Sequence, residues 1–140
     1  MTNELILKKL EQLLTLLGEL EKLLEPSFVE FQKDIMRIRA AERDFQLIVD
    51  LASDINTQIL LMRNKKTPDT YRQSFSDLAK EGVFSSVLSQ KLSLSAGLRN
   101  IIVHEYDFEE DYEKFYVSAK EFIPIYGEYT KAIHDFVSKL

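Results

Sequence analysis

The chain has 140 residues, of which 45% are hydrophobic and 29% charged, with no cysteine, two histidines and a formal net charge of -5. That length makes one domain, residues 1–140, with a core of its own; the missing cysteines exclude a disulfide framework and thiolate chemistry, and with two histidines they argue against a structural zinc site. The acidic balance speaks against a broad nucleic-acid surface, because affinity there is built on phosphate neutralisation, so any RNA site has to be local and DNA binding is not expected.

Four glycines and three prolines among many Leu, Glu and Lys predict an all-α fold, an antiparallel bundle of about five helices. Over residues 3–24, Leu5, Ile6, Leu10, Leu13, Leu14, Leu17, Leu20 and Leu24 recur at helical spacing. Leu7, Leu16 and Leu23 widen the stripe, so this helix touches more than one neighbour, either all core or core on one side and a dimer seam on the other. Glu4, Lys8, Lys9, Glu11 and Glu19 interrupt it too often for a signal peptide, and nothing is long enough to span a bilayer, so a cytoplasmic protein without a membrane partner is expected. Pro26-Ser27 ends the helix, and Phe28 and Phe31 read as a short apolar bridging turn.

A longer helix follows over residues 34–63, with Ile35, Ile38, Phe45, Ile48, Ala52, Ile55, Ile59 and Met62 on one broad face. Glu42, Arg43, Asp50 and Asp54 stand within or beside that face, where an unpaired charge is costly. Glu42 and Arg43 are expected to pair with neighbours. Asp50 and Asp54, four residues apart, either line a solvated edge or orient groups across the bundle. The clusters Arg37, Arg39, Arg43 and Arg63, Lys65, Lys66 fit solvated helix ends.

Residues 64–70 form a polar turn around Pro68, after which Asp69 or Thr70 caps a short helix closed by Gly82. Ser85 or Ser86 caps the next, which carries Val87, Leu88, Leu92, Leu94, Leu98, Ile101 and Ile102, with Gly97 permitting close helix packing. The last helix, residues 110–138, contains Pro124 and Gly127, so a kink near Phe122 is expected. Phe108, Tyr112, Phe115, Tyr116, Phe122, Tyr126 and Tyr129 crowd it and read as core and interface.

The segment Arg99-Asn100-Ile101-Ile102-Val103-His104-Glu105-Tyr106 sets a cation, an amide, an imidazole and a phenol among core-facing apolar residues. On an ideal helix Arg99 and His104 lie about 140° apart, and Arg99 and Tyr106 return to nearly one face. The acidic run that follows reads as a helix stop, which puts His104 near a helix C-terminus, where the helix dipole favours imidazolium.

This Arg-x4-His-x-Tyr pattern resembles the signature of HEPN-domain proteins, specifically the HepT-like ribonuclease toxins paired with a minimal nucleotidyltransferase antitoxin. The resemblance runs along nearly the whole chain, through the leucine-rich first helix, Ala41-Glu42-Arg43, the stretch from Leu47 to Ile55, Tyr71-Arg72-Gln73-Ser74-Phe75 and Leu78-Ala79-Lys80-Glu81-Gly82. It implies a homodimeric, metal-independent endoribonuclease with a composite site and no cofactor, in which Arg99, Asn100 and His104 act on RNA. Pro124 and Gly127 depart from the smoother final helix expected of the family.

Metal-independent RNA cleavage needs a base for the ribose 2′-hydroxyl, an acid for the leaving 5′-oxygen and a cation for the charged phosphorane. Arg99 and His104 supply two of the three, Asn100 can hold a phosphate or ribose oxygen, and His134 has no motif around it; a symmetric dimer brings a second His104 instead. A phenol with pKa near 10 is a poor acid or base here. The resemblance implies that Tyr106 is a control site, to which the antitoxin transfers AMP from ATP, and that Asp54, with Glu42 and Arg43, orients Arg99 or His104. The alternative is a non-catalytic helical module that docks a nucleotidyltransferase or binds nucleotide at Arg99.

Overall fold

The computed structural model describes residues 2–104 and 111–140, with Thr2 and His104 placed as helix positions only. Six helices occur among them: α1 (Thr2–Leu23), α2 (Phe28–Phe31), α3 (Ile35–Met62), α4 (Tyr71–Lys80), α5 (Ser86–His104) and α6 (Tyr112–Ser138). The five longer ones are those the periodicity predicts, and the apolar bridging turn is the four-residue α2.

Local chemistry fixes their ends. Asp34, Thr70, Ser85 and Asp111 each accept a hydrogen bond from the backbone N–H three residues on, at 3.0 to 3.2 Å. Gly82, at φ +79°, closes α4 with a Schellman pair, Gly82 N–H to the Ala79 carbonyl at 2.9 Å and Val83 N–H to that of Leu78 at 3.3 Å. Asn64, at φ +58°, closes α3 in the same way, with Lys65 N–H reaching the Leu60 carbonyl at 2.9 Å. Arg37 donates to the Leu23 carbonyl at 3.2 Å, so one of the predicted basic clusters serves partly to satisfy the end of α1.

The buried residues of α1, Ile6, Leu10, Leu13, Leu17 and Leu20, and Leu24 just after it, alternate steps of four and three. This stripe is narrower than the apolar sequence: Leu5, Leu7 and Leu14 are exposed. The helix packs on α3 and, more lightly, on α6, which explains the half-buried Leu16 and Leu23. Helix α3 is the centre of the bundle, with Ile38, Ala41, Phe45, Ile48, Val49, Ala52, Ile55 and Ile59 buried, and its first residue, Ile35, exposed. Rings bridge α3 to α6: Phe45 lies 6.1 Å from Phe115 and 5.7 Å from Phe122 between centroids. Pro124 sits inside α6, which continues as one element to Ser138.

Two buried polar links set the register of the helices around the site. Asn56 Nδ2 donates to Ser74 Oγ at 3.0 Å and its Oδ1 accepts from Tyr129 at 2.7 Å, tying α3, α4 and α6 together. Tyr126 and Ser95 share a hydrogen bond of 2.7 Å between α6 and α5, one turn before Arg99. Each group is satisfied, so each link is specific without leaving an orphaned buried donor.

Candidate functional site

Helix α5 carries the candidate residues, and its last turns are flanked by polar groups from α3 and α4. Arg99 Nε donates to Asp50 Oδ1 on α3 at 2.9 Å, and Tyr71, the first residue of α4, donates its hydroxyl to the same oxygen at 3.0 Å. The Arg99 guanidinium also lies over the Tyr71 ring, 4.8 Å from its centroid. One carboxylate and one aromatic face therefore fix a side chain that has four rotatable bonds of its own. The Tyr71 phenol is pushed above its ordinary pKa by burial and by its bond to Asp50, which keeps the proton that the bond needs.

Arg99 Nη1 reaches Asn100 Oδ1 at 3.3 Å, so the two neighbouring motif residues face one solvent-open cleft. That cleft, about 350 Å³, is lined by Thr70, Tyr71, Arg72, Arg99 and Asn100. Gly97 matters here for a different reason from the one its sequence suggests. No helix backbone presses on it; instead the Arg72 guanidinium lies against it, and a Cβ at this position would come 2.6 Å from Arg72 Nη2.

A second cleft of about 250 Å³ lies beside the same end of α5, lined by Arg39, Glu42, Arg43, Gln46, Ile102 and Val103. Glu42 is paired there with Arg39 at 3.0 Å, and Arg39 also donates to Tyr112 at 3.2 Å, so the expected pairing of Glu42 holds. Burial raises the Glu42 pKa, and Arg39 opposes the rise. Arg43 is exposed. On α3 the residues Arg39, Glu42, Arg43, Gln46 and Asp50 thus form a polar seam against the last turns of α5.

Asp54 is elsewhere. It is paired with Lys9 of α1 at 3.5 Å on an exposed flank, and the carboxylate that holds Arg99 is Asp50, one turn earlier. His104 is placed as the last described residue of α5, while Tyr106 and Phe108 lie outside the described residues. His134 is exposed on α6. Sequence reasoning weighed Asp50 with Asp54 for orienting Arg99 and favoured Asp54, and it missed the placement of Tyr71 and Arg72 at the cleft. The signal available was that Asp50 interrupts an apolar face while Tyr71 and Arg72 open a short capped helix. No group of His, Asp or Glu among the described residues is arranged to hold a metal ion, and no described helix is long and apolar enough to cross a membrane.

An all-helical bundle that presents a braced arginine and a neighbouring amide to an open cleft, just before a histidine at the helix end, defines a protein of the HEPN class. The family model "Ribonuclease HepT-like" matches residues 13–133, and the chain belongs to that family. A curated relative, the tRNA nuclease HepT of Aphanizomenon flos-aquae, is 28% identical over 132 residues, 94% of this chain and 89% of that protein. Among solved structures, the tri-AMPylated Shewanella oneidensis HEPN toxin in complex with MNT antitoxin matches with a TM-score of 0.82 at 21% identity, covering 93% of this chain and 96% of that one. A toxin-antitoxin complex with AMP-PNP matches at 0.80 and 20% identity, covering 92% and 95%. At these identities the structural matches establish the fold.

Proposed function

We propose that the chain is one HEPN-like domain that acts as a toxin, a metal-independent endoribonuclease working as a homodimer and neutralised by a nucleotidyltransferase antitoxin. The observation that carries this reading is the bracing of Arg99 by Asp50 and Tyr71, beside Asn100, in a cleft open to solvent, within a chain of the HepT-like family. Preorganised positive charge at the place where negative charge develops is the larger part of phosphoryl-transfer catalysis.

In the proposed reaction the ribose 2′-oxygen attacks phosphorus while His104 of one protomer takes its proton. The bond to the 5′-oxygen breaks as His104 of the other protomer protonates it, leaving a 2′,3′-cyclic phosphate and a 5′-hydroxyl. Arg99 faces the phosphorane oxygens and Asn100 holds a phosphate or ribose oxygen. The name of the 28% identical relative makes tRNA the first substrate to try. A dimer has an available seam: Val87, Leu94 and Ile101 stand at seven-residue intervals on α5 and are 60%, 61% and 45% exposed, a line of apolar side chains leading to the His104 end.

Arg99→Ala and His104→Ala should each abolish cleavage of tRNA and cell toxicity while leaving helical circular dichroism nearly unchanged, and EDTA should not inhibit the parent protein. Activity lost in EDTA and restored by magnesium would replace the histidine mechanism with a metal one. A protein that binds its nucleotidyltransferase but cuts no RNA would instead be a docking module.

A further inference from the structure

We propose that Arg72 is a second phosphate contact, which holds a phosphodiester of the RNA strand next to the one at Arg99, and that Gly97 is the position that lets it do so. This inference rests on the ribonuclease reading for its ligand, but it comes from a separate set of atoms.

Arg99 is largely committed inside the protein. Its Nε is bonded to Asp50 and its Nη1 to Asn100, and the Asp50 carboxylate stands directly behind it. A phosphate arriving at Arg99 alone meets a pair whose net charge is close to zero. Arg72 changes that balance: it lines the same cleft, is exposed, and has no ion pair among the described residues. With Arg72 added, Arg72, Arg99 and Asp50 together carry one net positive charge, so the strand meets an attraction that the Arg99–Asp50 pair alone does not supply.

The location of that charge is set by Gly97. The Arg72 side chain leaves α4 and lies across α5 where Gly97 has no Cβ, two residues before Arg99. An alanine there would sit 2.6 Å from Arg72 Nη2, and because the opposing atom is the tip of a flexible side chain, the guanidinium moves and the helices stay. A glycine inside a helix is otherwise a local cost. The two cations thus come from different helices into one cleft of about 350 Å³, large enough for a phosphodiester with its ribose.

The test measures binding of a fully 2′-O-methylated single-stranded RNA, which cannot be cleaved, to the full chain at several salt concentrations, alongside tRNA cleavage kinetics. Arg72→Gln should weaken binding about tenfold and lower the slope of log affinity against log salt by about 0.7, the share of one single-strand phosphate contact. Its KM should rise with kcat retained. Arg72→Lys should restore the slope, and Gly97→Ala should weaken binding in the same direction although it is the better helix former. Unchanged affinity and slope in Arg72→Gln would overturn the proposal while leaving the ribonuclease reading intact if the parent still cuts tRNA. Arg72-dependent binding by a parent that cuts no RNA would sustain the phosphate contact and remove the ribonuclease. A parent that binds no RNA would overturn both.

Discussion

Asp50 meets Arg99 through Nε at 2.9 Å while Nη1 reaches Asn100 Oδ1 at 3.3 Å, so the guanidinium is held on two sides at the wall of the cleft. The ion pair therefore fixes where the cation stands. Asp50→Ala should lower kcat of RNA cleavage by about 10- to 100-fold, the cost of a misplaced transition-state contact, with a smaller change in KM. Asp50→Asn keeps an acceptor oxygen of the same shape and should recover most of the rate. Single-turnover kinetics on both variants checks this, and a wild-type kcat in Asp50→Ala would reduce Asp50 to a structural partner.

The Asn56 link should be a principal polar determinant of stability. Removing its amide in Asn56→Ala leaves the hydroxyls of Ser74 and Tyr129 without that partner inside the bundle. Tyr129 keeps the Ala52 carbonyl and Ser74 that of Tyr71, so the expected loss, about 1.5 to 3 kcal/mol, comes from two lost hydrogen bonds and the small void. Chemical denaturation followed by circular dichroism measures it; a loss below about 1 kcal/mol would mean that the helices re-pair around the gap.

Asp44 gives the bundle a pH dependence. Its side chain is buried in α3, Oδ2 has no hydrogen-bond partner among the described residues, and burial, followed by the negative charge of Glu19, pushes its pKa from 3.8 up to about 6. Between those values the folded state keeps a proton that the unfolded chain has released, so stability from this group is greatest below pH 3.8 and falls as pH rises to about 6. The loss is on the order of 1 to 3 kcal/mol. Asp44→Asn should therefore raise the thermal midpoint at pH 8 and leave it nearly unchanged at pH 4. Equal gains at both pH values would assign the effect to packing.

Tyr106 is proposed as the modified residue. Incubation with ATP, magnesium and the cognate nucleotidyltransferase should add one or more AMP units to Tyr106 and abolish cleavage, since a phosphate diester held near Arg99 competes with RNA by charge and by bulk. Tyr116, whose hydroxyl is bonded inside the bundle to the Pro26 carbonyl, should be spared. Tyr106→Phe should remain toxic and no longer respond to the transferase. An adduct on another tyrosine in peptide mass spectra would make Tyr106 a structural residue.

The helices were legible because each carries its own signal: leucines stepped by four and three in α1, a broad apolar face in α3, a capping residue before α4 and α5, Gly82 after α4, and an acidic start with crowded aromatics in α6. Site residues on one helix, Arg99 and Asn100, were legible for the same reason, since their spacing is local. Asp50 was not. Asp50 and Asp54 are chemically identical and one turn apart, and only the rotation of α3 against α5 decides which of them meets Arg99 and which turns to Lys9 on α1. Arg72 was hidden for a similar reason, because its contact with Gly97 joins two helices whose relative rotation no periodicity specifies.

Three odd-numbered positions of α5 each engage a different helix: Ser95 meets Tyr126 of α6, Gly97 receives Arg72 of α4, and Arg99 is held by Asp50 of α3. A single residue inserted just upstream of Ser95 would turn this stretch by about 100° relative to the part of α5 already seated in the core, and all three contacts would be lost together. The turn between α3 and α4 carries, between its capped ends, only the pairing of Lys65 with Glu81 among the described residues. Variation in length among relatives should therefore collect at residues 64–70 and be absent between Leu92 and His104, so that a deletion scan reads as tolerance in the turn and a sharp loss of activity in the helix.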